Sequence, residues 1–191
     1  MQGKSLMILK DFSLAQGVGG WDSDADIKAR QFLVSCSTVA SLRMRASLKR
    51  AKLMTSEVTD IAIVPAINRL PEPRLFAHIL PIHVSFDWQR FSEWLGGNTA
   101  TENAITVNDS DAFSKLHGPS ELVRDMICEA MGRGLQRVPK SLKLPVEALE
   151  QMVQDIQNSP YELSWTYCSR RFAQVSLTAR LECRLLAGQF Q

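Results

Sequence analysis

Long apolar runs, histidines and paired cysteines are all scarce in this chain, and each scarcity removes a class of function. The longest stretches without a charged side chain, residues 31–42 and 75–86, hold 12 residues each. A membrane-spanning helix needs ~20. The amino-terminal MQGKSLMILKDF has an apolar core cut short by Lys10 and Asp11, without the longer apolar region and cleavage site of a secretory signal. Gln2 stands where N-myristoylation needs glycine, and the carboxyl-terminal residues form no prenylation box. The four cysteines, Cys36, Cys128, Cys168 and Cys183, make no CxxC pair and lie at no zinc-type spacing from a histidine. Reduced, buried thiols are the expectation, and with them a cytoplasmic or nuclear protein that is not secreted.

Catalytic signatures are also missing. His78, His83 and His117 are the only histidines, and no acid or nucleophile stands at a spacing that defines a triad. Gly17-Val-Gly-Gly-Trp21 lacks the spacing of a dinucleotide fingerprint and the Lys-Ser/Thr of a phosphate loop. Asp22, Asp24 and Asp26 begin like a calcium loop, but Ile27 and Leu33 occupy the positions that require Gly and Glu. We therefore expect neither a metal nor a cofactor.

What the chain does have is an ordinary globular composition and an uneven distribution of charge. At 191 residues with 45% hydrophobic side chains it can bury one core without disulfides. Net charge is only +2, yet residues 27–56 carry seven basic side chains and no acid: Lys28, Arg30, Arg43, Arg45, Lys49, Arg50 and Lys52. Residues 130–146 add Arg133, Arg137, Lys140 and Lys143, again without an acid. Segregation of this kind allows a basic face on a nearly neutral protein.

Periodicity gives the elements. From Val34 to Leu48 every second residue is apolar or small, and the interleaved set is rich in Ser and Arg. This predicts a half-buried strand, with a helix over 42–54 as the competing reading because that segment is rich in helix formers. Residues 58–70 and 75–88 read as strands joined by a stiff Leu70-Pro-Glu-Pro-Arg74 turn. Pro65 and Pro81 inside them point to a sheet edge or a bulge. Asp87 is placed to cap a helix over 88–95 ended by Gly96-Gly97. Further helices are expected over 119–131, ended by Gly132 and Gly134, and over 145–156. Alternation from Tyr161 and from Ala173 predicts a closing hairpin, with a turn at 168–171.

Segregated strands and helices argue for an α+β fold. We expect an antiparallel sheet of long amphipathic strands with two or three helices packed on one face. A single domain would span 1–191, with a mobile loop at 98–111. On the basic strand Arg43, Arg45 and Lys49 would share a side, with Arg50 and Lys52 beyond. Arg180 and Arg184 would share a face of the last strand. Such cations suit backbone phosphates of a nucleic acid or another polyanion. Long strands with exposed edges suit self-association into a homo-oligomer. The expected function is thus a non-enzymatic, self-associating structural protein of viral or phage type with a basic, RNA- or DNA-contacting face. The alternatives are an adaptor that recruits a protein through an edge strand or through Trp88 and Trp94, and a small enzyme with a sheet–helix pocket at His78.

Overall fold

A computed structural model describes residues 6–15, 33–66, 70–99, 121–160, 162–172, 177–186 and 189–190. The order is β1 (Met7–Ile8), β2 (Asp11–Leu14), α1 (Thr38–Ala51), β3 (Met54–Thr55), β4 (Asp60–Ala66) and β5 (Ile79–Ser85). Then come α2 (Trp88–Thr99), α3 (Glu121–Gln136), a 3-10 turn (Lys140–Leu142), α4 (Val146–Gln157), β6 (Glu162–Phe172), β7 (Leu177–Leu186) and β8 (Gln189–Phe190). The protein mixes helices with strands, as expected, but the strands form small sheets rather than one antiparallel sheet of long strands. The central sheet, β2–β4–β5, is wholly parallel. β1 and β3 form a short antiparallel ribbon, and β6–β7–β8 form a separate antiparallel sheet.

The largest correction is at 34–48, where a helix replaces the expected strand. Cys36, Ala40, Met44 and Leu48 are all buried. They belong to the period-2 set, but they also recur every fourth residue, which is the core stripe of a helix. Thr38, Leu42 and Ala46, which a strand would bury beside them, are not buried, whereas Val39 from the interleaved set is. Good helix formers from Leu42 onward decide the ambiguity.

The second correction concerns strand direction. Residues 70–75 form no tight turn between antiparallel strands. Extended, those six residues reach about 20 Å, enough to carry the chain back along a seven-residue strand. β5 therefore starts beside Asp60, the start of β4, and runs parallel to it. A tight turn at Phe76–Ile79 then launches β5, with backbone bonds of 2.9 Å in both directions and a positive φ of 53° at Ala77.

Both prolines fit this ladder. The Asp60 N–H donates to the His78 carbonyl at 3.2 Å, so even-numbered residues of β5 direct their backbone groups to β4 and odd-numbered ones direct theirs outward. Pro81 is odd, and its missing donor leaves no ladder bond unmade. Pro65 is in the central strand, two residues beyond Ile63, the last residue of β4 paired with β2. The pairing has ended where its donor would be needed.

One face of the parallel sheet supplies Phe12, Leu14, Ile61, Ile63, Leu80, Ile82 and Val84 to the core. Met44 and Leu48 of α1, Met126, Ile127 and Met131 of α3, and Leu149, Val153 and Ile156 of α4 join the same cluster. The three helices thus form a layer on that face. Asp87 caps α2 as expected, accepting the Arg90 N–H at 2.9 Å. The glycine pairs do not end their helices: α2 runs through Gly96-Gly97 to Thr99 and α3 runs through Gly132 and Gly134 to Gln136.

The closing hairpin is present as β6 and β7, but residues 168–171 lie within β6 rather than at the turn. A register shift between Thr166 and Cys168 explains the misplacement, since a bulge resets the alternation. The glycine-rich segment 16–22, the Asp22–Asp26 cluster, His117 and most of the expected 98–111 loop lie outside the described residues.

Candidate polyanion interface

α1 runs back toward the start of β2. The Leu9 N–H donates to the Leu53 carbonyl at 2.9 Å, which places the last turn of α1 at the amino end of the parallel strands. The basic residues of this helix fall into two groups. Arg45, Lys49 and Lys52 follow an i, i+4, i+7 line. Arg43 and Arg50, seven residues apart, lie on another.

Their surroundings differ. Arg45 is committed to the fold: its Nε and Nη2 donate to Asp11 Oδ1 and Oδ2 at 2.9 and 2.7 Å. That bidentate bond, with the charge of Asp11, holds the guanidinium pKa above its ordinary value. Arg43 is partly buried and engaged within the protein. Lys49, Arg50 and Lys52 are exposed. Arg50 Nη2 reaches Ser47 Oγ at 3.4 Å, and neither lysine has an ion pair among the described residues. Lys52 closes the helix in the left-handed conformation (φ 50°, ψ 46°), its N–H donating to the Leu48 carbonyl at 2.9 Å. The seven residues expected at the interface therefore separate. Lys49, Arg50 and Lys52 form an exposed group at one end of α1, and Arg43 and Arg45 are tied into the protein. Arg180 and Arg184 are on β7, opposite Ser169 and Ser164 of β6, and β6 touches α1.

His78, His83, Cys36 and Cys128 have different surroundings. His78 lies in the exposed turn before β5 rather than on its buried face, with Nδ1 3.0 Å from the Glu57 carbonyl oxygen. His83 is partly buried, and burial together with the nearby Arg137 charge lowers its pKa. Burial pushes the Cys36 and Cys128 thiols up to about 12, so both are protonated and weakly nucleophilic at neutral pH. Trp88 and Trp94 are half-buried, not exposed: Trp88 packs on Phe86 at 4.7 Å and Trp94 on Phe91 at 5.7 Å between ring centroids.

Sequence reasoning missed a group of apolar residues at the same end of the sheet as Lys49, Arg50 and Lys52. Leu6, Ile8, Met54, Phe76 and Ile79 are large side chains left exposed, Phe76 at 78%. The alternation around 75–88 assigned Phe76 to the buried face. The available signal was the brevity of the apolar segment at 6–9, too short to build a core strand. No described helix is long and apolar enough to cross a membrane. Comparison of the chain with protein-family models, curated proteins and solved structures gave no match.

Proposed function

We propose that this protein is a non-enzymatic, self-associating assembly protein whose basic face contacts a polyanion. The observation that carries the reading is the exposed end of α1, a helix without an acid of its own, where Lys49, Arg50 and Lys52 stand together. Cations of this kind bind by displacing counterions from a phosphate array, which makes the affinity fall steeply with salt. Repetition of the face in an oligomer multiplies weak contacts into useful avidity. Self-association draws support from β2, an edge strand of the central sheet. The Ala15 N–H donates to the Ile63 carbonyl at 2.8 Å, so the backbone groups of Phe12 and Leu14 point away from β4, toward the edge.

The adaptor reading has less behind it. Its edge strand, β5, is blocked by Pro81 and by the Phe76–Ile79 turn, and its tryptophans are packed. The enzymatic reading has less behind it as well, since His78 sits in an exposed turn and Cys36 is buried and protonated.

The test is size-exclusion chromatography with light scattering, with the absorbance of nucleic acid and of protein recorded at low and high salt. A multi-subunit particle carrying nucleic acid that high salt removes is expected. The charge reversals Lys49→Glu, Arg50→Glu and Lys52→Glu together should weaken binding to an oligonucleotide or heparin by at least about tenfold. A nucleic-acid-free monomer at both salt concentrations, with no affinity for either polyanion, overturns the proposal.

A further inference from the structure

We infer that the amino end of the parallel sheet docks onto an anionic lipid surface; this rests on the polyanion-binding reading above and names its partner. Three backbone hydrogen bonds hold the surface together. Leu9 donates to Leu53 at 2.9 Å, Lys10 to Thr59 at 2.7 Å, and Thr59 to His78 at 2.8 Å. The first joins the β1–β3 ribbon, and the other two set Lys10 and His78 on either side of Thr59. Strands are spaced about 4.8 Å apart, so Lys10 and the Phe76–Ile79 turn stand about 10 Å from each other across this end. Ile8 and Met54 are direct register partners and share a face of the ribbon. Leu6, two residues before Ile8, falls on that face too. Exposure is 64% for Leu6, 44% for Ile8, 47% for Met54 and 45% for Ile79.

Cations surround these side chains. Lys10 follows Ile8, Lys52 precedes Met54, Lys49 and Arg50 finish the helix above, and Arg74 precedes Phe76; all five are exposed. The acids at this end are outnumbered by the cations. Asp11 is paired with Arg45, Asp60 keeps its charge while accepting the Thr59 hydroxyl, and Glu57 is engaged within the protein. Glu72 remains exposed nearby in sequence.

Exposed aliphatic side chains interleaved with lysines and arginines are complementary to an anionic bilayer. The cations meet the headgroup phosphates while the apolar side chains enter the acyl boundary. A nucleic acid would use the cations but would leave Leu6, Ile8, Met54 and Ile79 in water. A second copy across a two-fold axis would bring the same cations face to face.

Flotation with phosphatidylcholine vesicles, with and without about one-third phosphatidylglycerol, tests this on the full chain, with heparin and an oligonucleotide as parallel probes. Binding to the anionic vesicles but not to the neutral ones is expected, together with binding to heparin. Lys49→Glu/Lys52→Glu should lower vesicle partitioning by about tenfold or more and weaken heparin binding as well. Met54→Ser/Phe76→Ser, at exposed positions, should lower partitioning by about tenfold and leave heparin binding unchanged, with circular dichroism reporting an intact fold. Heparin or oligonucleotide binding without vesicle binding overturns the lipid inference and leaves the polyanion reading standing. No binding to any probe brings down both. Vesicle binding that is indifferent to Met54→Ser/Phe76→Ser, or an equal loss of oligonucleotide binding in that variant, also overturns the inference.

Discussion

Gly132 and Gly134 stand two residues apart in α3 and serve different ends. A Cβ on Gly134 would overlap Cδ1 of Ile63, a fully buried residue of the central strand. The glycine lets helix and sheet approach one another. A Cβ on Gly132 meets nothing within 4 Å. Gly134→Ala is therefore expected to destabilise the protein by about 1–3 kcal/mol, through overpacking. Gly132→Ala should stabilise it by about 0.5–1 kcal/mol, by restricting the unfolded chain and favouring the helix. Urea unfolding of the two variants checks both signs, and equal shifts would contradict the contact with Ile63. Glycines so close together read as a helix terminator in the sequence. Their role as a contact point depends on Ile63, about seventy positions away, which no local pattern reveals.

At the scale of the element, legibility followed how far each pattern was ambiguous. α4 was readable because Leu149, Val153 and Ile156 fit only a helical stripe, and all three are buried. The hairpin was readable because its alternation is long enough to survive one bulge. α1 was misread because residues four apart satisfy both periods, and what separates them is the burial of Val39 with Thr38, Leu42 and Ala46 left unburied. Strand direction was beyond local reading altogether, since a proline-rich connection of this length serves a turn or a return equally well. The charged end of α1 was legible as composition. Which cations stay out of ion pairs was not, because Asp11, the partner of Arg45, lies 34 residues away. The helix end carries its own prediction. Lys52 holds a left-handed conformation that a Cβ disfavours, so Lys52→Gly should raise stability by about 0.5–1 kcal/mol. The same change removes an interface cation and should weaken heparin binding. A higher urea midpoint with lower affinity would show that fold and binding respond separately at this position. A lower midpoint would contradict the capping geometry.

Across the whole molecule, the arrangement is polar along the strand direction. The parallel ladder sends β2, β4 and β5 the same way, and α1 returns against them, so one end of the sheet collects the start of every strand and the end of the helix. Leu6, Ile8, Met54, Phe76, Ile79 and the cations beside them lie there, whereas Leu70 is the exposed apolar residue of the returning connection. The opposite end is built differently: Arg137 Nη2 bonds the Leu70 and Pro71 carbonyls at 3.3 and 3.1 Å and ties the end of α3 to the returning connection. Contact with an anionic surface should therefore be one-ended. Hydrogen exchange followed by mass spectrometry, with and without phosphatidylglycerol-containing vesicles, measures this directly. Exchange should slow in the turn at 76–79 and in residues 52–57, whose backbone includes amides outside regular ladders. It should be unchanged in 70–73 and around Arg137. Slowing spread evenly over both ends would mean that binding tightens the whole fold instead of covering one face. Protection confined to 70–73 would place the contact at the wrong end of the sheet, leaving the cations of α1 without the role assigned to them.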